Sequence, residues 1–269
     1  MIASEPMRWI IGDIHGMFVA LDSLINQIER QDHSPHLIFV GDYVNRGPDS
    51  RKVIDRLLTL SRASFVRGNH DDIFDLILHS RSFSSSPDGI DSLAAFAWFM
   101  QFGLDQTLVS YGADLAELQW LQTHPNFEKL SQALCCVPDR HRQFIKDLPA
   151  VMEHPDIFVA HAMWNVDESD LAPSIESRLK SEAHLRHQII WGRYSGEEIH
   201  RHKRWKRTGY FGHTPVLNYH DHEKPVPLTG PNIVLLDTAA ALVPEGRLTA
   251  LCADDGQMIQ VGRRGEIIA

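Results

Sequence analysis

Cysteine is scarce, with three in 269 residues: Cys135 and Cys136 are adjacent and Cys252 lies far along the chain. They make neither a disulfide framework nor a metal-site spacing, and they fit inert thiols in a reducing compartment. No apolar run approaches the ~20 residues of a membrane-crossing helix. Met1 to Arg8 lacks the apolar core of a signal peptide. The expected location is therefore the cytoplasm, with no membrane partner. Positive charge is also in short supply, because 26 Lys and Arg face 35 Asp and Glu for a net −9. General nucleic-acid binding needs a basic field, so no stable nucleic-acid partner is expected.

What remains is enough for an ordered core, since 43% of the residues are hydrophobic and 23% charged. The length suits one α/β or two-sheet domain. Arg8–Ile11 reads as a strand ending in Gly12-Asp13-Ile14-His15-Gly16, followed by a helix with Phe18, Leu21, Leu24, Ile25 and Ile28 on one face. Leu37–Val40 leads to Gly41-Asp42-Tyr43-Val44-Asn45-Arg46-Gly47 and a second helix carrying Val53, Ile54, Leu57 and Leu58. Ser64–Arg67 leads to Gly68-Asn69-His70-Asp71-Asp72 and a third helix. Three successive strand–turn–helix units thus each deliver Asp, Asn or His to a turn beside glycine. In α/β folds, ligands gather beyond the carboxyl ends of strands.

Further along, 73–155 reads as a helical insertion in a single 1–269 domain, with helices over Leu93–Phe102, Leu115–Leu121 and Arg142–Leu148 and a Ser-rich, mobile stretch at 82–89. Strands resume at Asp156–Ala160, ending in His161. A polar stretch from Asn165 to His187 follows, and Ile189-Ile190-Trp191-Gly192-Arg193 reads as a further strand with Arg193 at its end. Gly209–Gly212 precedes His213, and Ile233–Asp237, Leu248–Ala253 and Met258–Val261 complete the strands.

The polar residues at strand ends are Asp13, His15, Asp42, Asn69, His161 and His213. They are hard oxygen and borderline imidazole donors, suited to Mn, Fe or Zn. One carboxylate such as Asp42 can bridge two metals roughly 3.5–4 Å apart around a nucleophilic water. Two divalent cations bring +4, from which Asp13, Asp42 and a bridging hydroxide subtract three. The remaining +1, before Arg46 is added, suits a phosphate dianion. Arg46 carries a planar fork of donors matched to phosphate.

In this order, Gly-Asp-Ile-His-Gly, Gly-Asp-Tyr-Val-Asn-Arg-Gly, Gly-Asn-His-Asp, a strand-end His-Ala and Gly-His-Thr resemble the bacterial branch of the phosphoprotein phosphatase family of metallophosphoesterases. Trp98 with Thr107–Gly112, Ile190–Arg193, Leu236–Thr238 and Arg247–Leu251 resemble its serine/threonine phosphatase-like members, so the likeness covers nearly the whole chain. The resemblance implies a calcineurin-like α/β fold, with two mixed sheets packed as a sandwich and flanked by helices. It implies two divalent metals, manganese first with iron or zinc as alternatives. One would be held by Asp13, His15 and Asp42, the other by Asp42, Asn69, His161 and His213, with a bridging hydroxide as nucleophile. Arg46 and Arg193 would bind the phosphoryl oxygens, His70 would protonate the leaving oxygen, and Asn45 would orient His70.

Three departures stand out. Many relatives carry Asp at Asn45, and an amide does not stabilise an imidazolium as a charge would. Met163 and Ala239 occupy positions where glycine is usual. The expected substrate is a phosphorylated protein or small phosphoester, with phosphoserine or phosphothreonine first. Symmetrical dinucleoside polyphosphate hydrolysis is the alternative, and a metal-binding pseudophosphatase scaffold is an alternative of another class. The basic run His200–Arg207 reads as a solvated face, with substrate steering or base stacking on Trp205 as minor alternatives.

Overall fold

In the computed structural model, which describes residues 6–79, 91–166 and 175–268, alternation along β1 (Arg8–Ile11) builds two layers at once. Trp9 and Ile11 pack with helices on one side, while Ile10 joins Val159, Tyr210 and Val234 of a second sheet on the other. Successive strand side chains face opposite ways, so a strand covered on both faces is apolar throughout. Trp9, Ile10 and Ile11 are all fully buried.

α1 (Phe18–Gln31), β2 (His36–Phe39), α2 (Ser50–Leu57), β3 (Ala63–Phe65) and α3 (Asn69–Leu78) follow. β1, β2 and β3 pair in parallel, as strands joined through helices do. α1 turns Leu21, Leu24, Ile25 and Ile28 inward, the stripe expected of a helix lying on a sheet.

Five helices come next: α4 (Ser92–Phe99), α5 (Leu104–Tyr111), α6 (Leu115–Thr123), α7 (Phe127–Leu134) and α8 (Asp139–Asp147). Asp91, Asp114 and Asn126 cap α4, α6 and α7 by accepting backbone N–H groups. Then come β4 (Val151–Glu153), β5 (Ile157–Ala160), α9 (Ile175–Ser181), α10 (Ala183–Trp191), α11 (Gly196–His200), β6 (Thr208–Phe211), β7 (Leu228–Gly230), β8 (Ile233–Leu235), β9 (Arg247–Cys252), β10 (Met258–Gly262) and β11 (Ile267–Ile268). The six-stranded sheet runs β11-β10-β9-β1-β2-β3 and the five-stranded sheet β4-β5-β6-β8-β7. Both mix parallel and antiparallel pairs. The expected sandwich of two mixed sheets flanked by helices is therefore the fold.

Several local expectations need correction. Ile189–Trp191 is not a strand but the last turn of α10, and Arg193 follows that helix. A short apolar run beside glycine does not distinguish strand from helix. Here Leu185, Ile189 and Ile190 are buried in one cluster, and the helix begins within the stretch read only as polar. Within 73–155 the helices stop at Asp147, because β4 already belongs to the second sheet. The sequence pattern signals none of α5, α7, α9, α11, β4, β7 and β11. The Ser-rich 82–89 stretch lies outside the described residues. Trp205 is buried, edge-on to Phe158, with Nε1 donating to the Asn232 carbonyl at 3.0 Å, so its ring face is not open to a base. No helix among the described residues is long and apolar enough to cross a membrane.

Candidate active site

The three N-terminal strand ends meet the ends of β5 and β6 through close turn contacts. Gly68 lacks the Cβ that would fall 2.1 Å from Asp42 Oδ1, and Gly212 lacks one that would fall 1.9 Å from Asp13 Oδ1. Gly68 thus lets the Asp42 carboxylate approach backbone within the six-stranded sheet, and Gly212 lets that of Asp13 reach the second sheet. His15, Asp42, Asn45, Arg46 and His213 all adopt left-handed backbone, with φ between 47° and 70°. Such conformations are costly for residues with a Cβ and persist where surrounding contacts enforce them.

One enforcing contact is Asp71. Its Oδ2 accepts the N–H groups of Asp42 (2.8 Å) and Gly68 (2.9 Å), and its Oδ1 accepts that of Tyr43 (3.0 Å). Asp42 Oδ1 in turn accepts the N–H of His70 at 2.9 Å, and Asp13 Oδ2 accepts that of His213 at 2.9 Å.

The imidazoles are oriented as metal ligands require. His15 Nδ1 donates to the Val44 carbonyl (3.0 Å) and His161 Nδ1 to the Val40 carbonyl (2.8 Å). A ring proton used this way leaves the Nε2 lone pair free for a cation. Both Nε2 atoms lie 3.4 Å from Asp42 oxygens, His15 beside Oδ2 and His161 beside Oδ1. Asn69 Oδ1 lies 3.1 Å from His161 Nε2 and 2.9 Å from His213 Nδ1. Asp13 Oδ1, His15 Nε2 and His213 Nε2 are buried without a hydrogen-bond partner, which is costly for groups that nothing else satisfies. Ligand-capable atoms of Asp13, Asp42 and His161 lie within 4.8 Å of one another, as do those of His15, Asp42 and His70. Asp42 belongs to both groups, the position of a shared carboxylate. Buried hard donors with unspent lone pairs fit a pair of divalent cations.

The electrostatics agree. Burial raises the Asp42 pKa, but His161, His70 and His15 outweigh it and hold the carboxylate well below its usual range. Burial lowers His161, yet the Asp42 and Asp13 carboxylates push it up to about 10. Burial together with Asp237 raises Asp13 well above the usual range, and burial lowers His15 and His213. Asp13, strained by burial, and His15 and His213, held neutral by it, are what a cation would relieve, and a cation would displace the proton that Asp42 and Asp13 hold on His161.

Arg46 and Arg193 face a cleft of about 650 Å³ that is also lined by His213, Thr214, Tyr219 and Leu242. Arg193 Nη1 donates to Thr214 Oγ1 at 3.0 Å, and the buried Arg46 Nε has no partner. His70 sits between His15 and Phe99, with ring centroids at 4.6 and 5.2 Å. The Asn45 amide Nδ2 donates to His70 Nδ1 at 3.0 Å, and Arg46 Nη2 lies 3.4 Å from His70 Nε2. The structure thus brings the ten sequence-predicted residues together at the strand ends, with Arg46, Arg193 and His213 lining the cleft. It adds Asp71, Asp237 and Thr107, which sequence reasoning did not assign. Asp71 adjoins His70, and Asp237 and Thr107 lie in quoted motifs, so position was available as a signal but their contacts were not.

Residues 8–215 match the family model described as calcineurin-like phosphoesterase. The chain belongs to that family. Calcineurin-like phosphoesterases are hydrolases that use a dinuclear divalent metal centre. The chain is 30% identical over 181 residues to the symmetrical bis(5'-nucleosyl)-tetraphosphatase of Coxiella burnetii (strain RSA 331 / Henzerling II), covering 66% of this chain and 50% of that relative. It therefore spans about half the length of those relatives. It is 26% identical over 249 residues to serine/threonine-protein phosphatase 1 of Salmonella typhimurium, covering 90% and 89% of the two chains. The crystal structure of the cold-active protein-tyrosine phosphatase of a Shewanella species superposes with a TM-score of 0.52 at 13% identity, covering 98% of this chain and 80% of that one. At that identity the likeness concerns fold.

Proposed function

We propose that the protein is a serine/threonine phosphoprotein phosphatase. The observation that carries this reading is the cation content of the cleft. Arg46 and Arg193 are the only Lys or Arg among the described residues that line it. Two guanidinium forks suit the oxygens of one phosphoryl group, whereas a chain of four phosphates presents more charge than two arginines match. The 90% coverage shared with the Salmonella phosphatase supports the same choice.

Asp13, His15 and Asp42 would hold one cation, and Asp42, Asn69, His161 and His213 the other, with manganese our first choice. When bound, the pair supplies Lewis acidity and an activated water. The chain's own residues do the rest. Arg46 and Arg193 orient the phosphoryl group and place charge where it develops. His70 gives a proton to the departing oxygen as an imidazolium, and Asn45, hydrogen-bonded to Nδ1, orients the ring. The three free cysteines fit a reducing compartment, and we place the protein in the cytoplasm.

A second reading, symmetrical dinucleoside polyphosphate hydrolysis, is favoured by one observation. Trp98 and Phe102 are exposed near the site, and Phe102 lies 6.2 Å from the His70 ring, so two rings are available to a base. The test is to load the protein with Mn²⁺ and offer a serine phosphopeptide and diadenosine tetraphosphate in parallel. Phosphate release from the peptide as the faster reaction, lost in Asp42→Asn, is the expected result. Preferential formation of ADP moves the protein to nucleotide metabolism. Turnover of neither, with no metal stimulation on an aryl phosphate, leaves a pseudophosphatase scaffold.

A further inference from the structure

We infer that the pocket behind Tyr194 is a substrate subsite, taking an anionic side chain of the phosphopeptide, either a carboxylate or a second phosphoryl group. This inference rests on the reading of the substrate as a phosphoprotein.

The basic run after α11 is more than a solvated face. Arg201, Lys203 and Arg204 line a pocket of about 420 Å³ whose other walls include Met163, Trp164 and Trp205. Tyr194 lines both this pocket and the catalytic cleft, so the two adjoin at one side chain. That side chain is fixed. Its hydroxyl accepts the Trp164 N–H at 2.8 Å and donates to the Trp164 carbonyl at 3.0 Å. Lys203 Nζ lies 5.9 Å from the centre of its ring, and Arg193 of the cleft is the preceding residue.

The positive charge of the pocket is unspent. Against three cations stands one lining carboxylate, Glu198, whose Oε2 accepts the Ser195 N–H at 2.7 Å. Lys203 Nζ donates to the carbonyls of Glu198, Ile199 (3.2 Å) and Arg201 (2.9 Å), which hold the ammonium without neutralising it. Burial pushes the Lys203 pKa down from its ordinary value, with Glu198 opposing. Arg201 pairs with Glu197 on an exposed face, a kind of contact that contributes little, so its guanidinium is free to turn to a ligand. Arg204 is exposed and forms no ion pair or hydrogen bond among the described residues. The buried Trp164 Nε1 is a further donor without a partner.

Cations beside indole and thioether walls suit an acidic side chain, whose methylenes pack while its oxygens accept charge-assisted hydrogen bonds. A bare polyphosphate has no methylenes to cover those walls. The chain as a whole carries a net −9 and repels acidic peptides, so a local cluster of cations decides where an acidic segment lies. An extended peptide advances about 3.3–3.6 Å per residue, so adjoining pockets are reached by residues a few positions apart.

The test is steady-state kinetics of the Mn²⁺-loaded protein on phosphoserine peptides. Glutamate, a hydrolysis-resistant phosphonate residue or glutamine is placed at successive positions on either side of the phosphoserine. At one position an anion lowers KM with kcat within twofold, and the larger gain of the two identifies the preferred anion. Arg201→Ala combined with Arg204→Ala, which alters exposed side chains only, raises KM for that peptide by about 3–10-fold and leaves the glutamine peptide within twofold. No gain from an anion at any position, or equal losses on anionic and glutamine peptides, overturns the inference. A loss on diadenosine tetraphosphate with none on the peptides overturns it as well.

Fluorescence anisotropy of labelled peptides, with the phosphonate in place of the phosphoserine itself, supplies a readout independent of turnover. Kd rises about 3–10-fold in the double variant for the anionic peptide alone. An unchanged Kd, or no binding by the wild type, overturns the inference. If the wild type hydrolyses no phosphopeptide while binding behaves as stated, the phosphatase reading fails and the anion subsite stands.

Discussion

Asp71 Oδ2 accepts the backbone N–H of Asp42 at 2.8 Å, so the residue that both metal groups share is held by a side chain that does not itself line the cleft. The same side chain takes the N–H groups of Tyr43 and Gly68. Each such hydrogen bond contributes about 0.5–1.5 kcal/mol, and a buried donor left unmade costs about 1–3 kcal/mol. Asp71→Ala is expected to lower unfolding free energy by about 3 kcal/mol in urea denaturation and to weaken metal binding. Asp71→Asn is expected to lose less, because its amide oxygen still accepts. A variant with wild-type stability contradicts this role.

The His70 pKa is lowered to about 4, chiefly by burial, against the Asp42 carboxylate, which raises it. The unfolded chain binds this proton near 6.5. The folded state therefore binds it less readily, and the related stability is complete above pH 6.5 and is lost as pH falls toward 4. A carboxylate at position 45 would accept from Nδ1–H and favour the imidazolium. Asn45→Asp is expected to lessen that acid-side loss and to move the proton-donor limb of the pH–rate profile upward by about one unit, measured with a phosphoserine peptide. An unchanged profile contradicts the expectation.

Ala239 adopts φ 63°, in the left-handed region that favours glycine. Its N–H donates to Asp237 Oδ1 at 3.0 Å, and its carbonyl faces Gly246, where a Cβ would come within 1.9 Å. The turn is kept although the residue does not favour it. The left-handed region costs about 1–2 kcal/mol for a residue with a Cβ, and glycine's extra freedom in the unfolded chain offsets part of any gain. Ala239→Gly is therefore expected to raise unfolding free energy by about 0.5–1 kcal/mol with little change in kcat. A loss of stability in thermal or urea unfolding counts against this.

Legibility followed the range of the signal. Turns at the ends of β1, β2, β5 and β6 were readable because a strand, a glycine and a donor stand together in a few residues. Their convergence was readable from order alone. Arg193 lines the cleft but was placed on the wrong element, because Ile189-Ile190-Trp191 fits the end of either a strand or a helix and the helical register lies in polar residues upstream. Met163, a departure noted in the sequence, lies against Gly192, where a Cβ would fall 2.7 Å from its own. It fills space beside the turn that launches Arg193. Thr107 and Ser50 meet Asn45 only through the packing of α2 and α5, which no local pattern encodes. Asp72, bridging Arg67 (3.4 Å) and the bidentate Arg186 of α10, is likewise visible only in three dimensions.

The central claim is that Asp42 is shared by two cations. Metal content of wild type and Asp42→Asn, measured by native mass spectrometry after loading with Mn²⁺ and desalting, tests it most directly. The account predicts two cations per wild-type chain, and in the variant a loss of at least one together with phosphoester turnover. Two cations retained by a folded Asp42→Asn, or none bound by the wild type, contradict it.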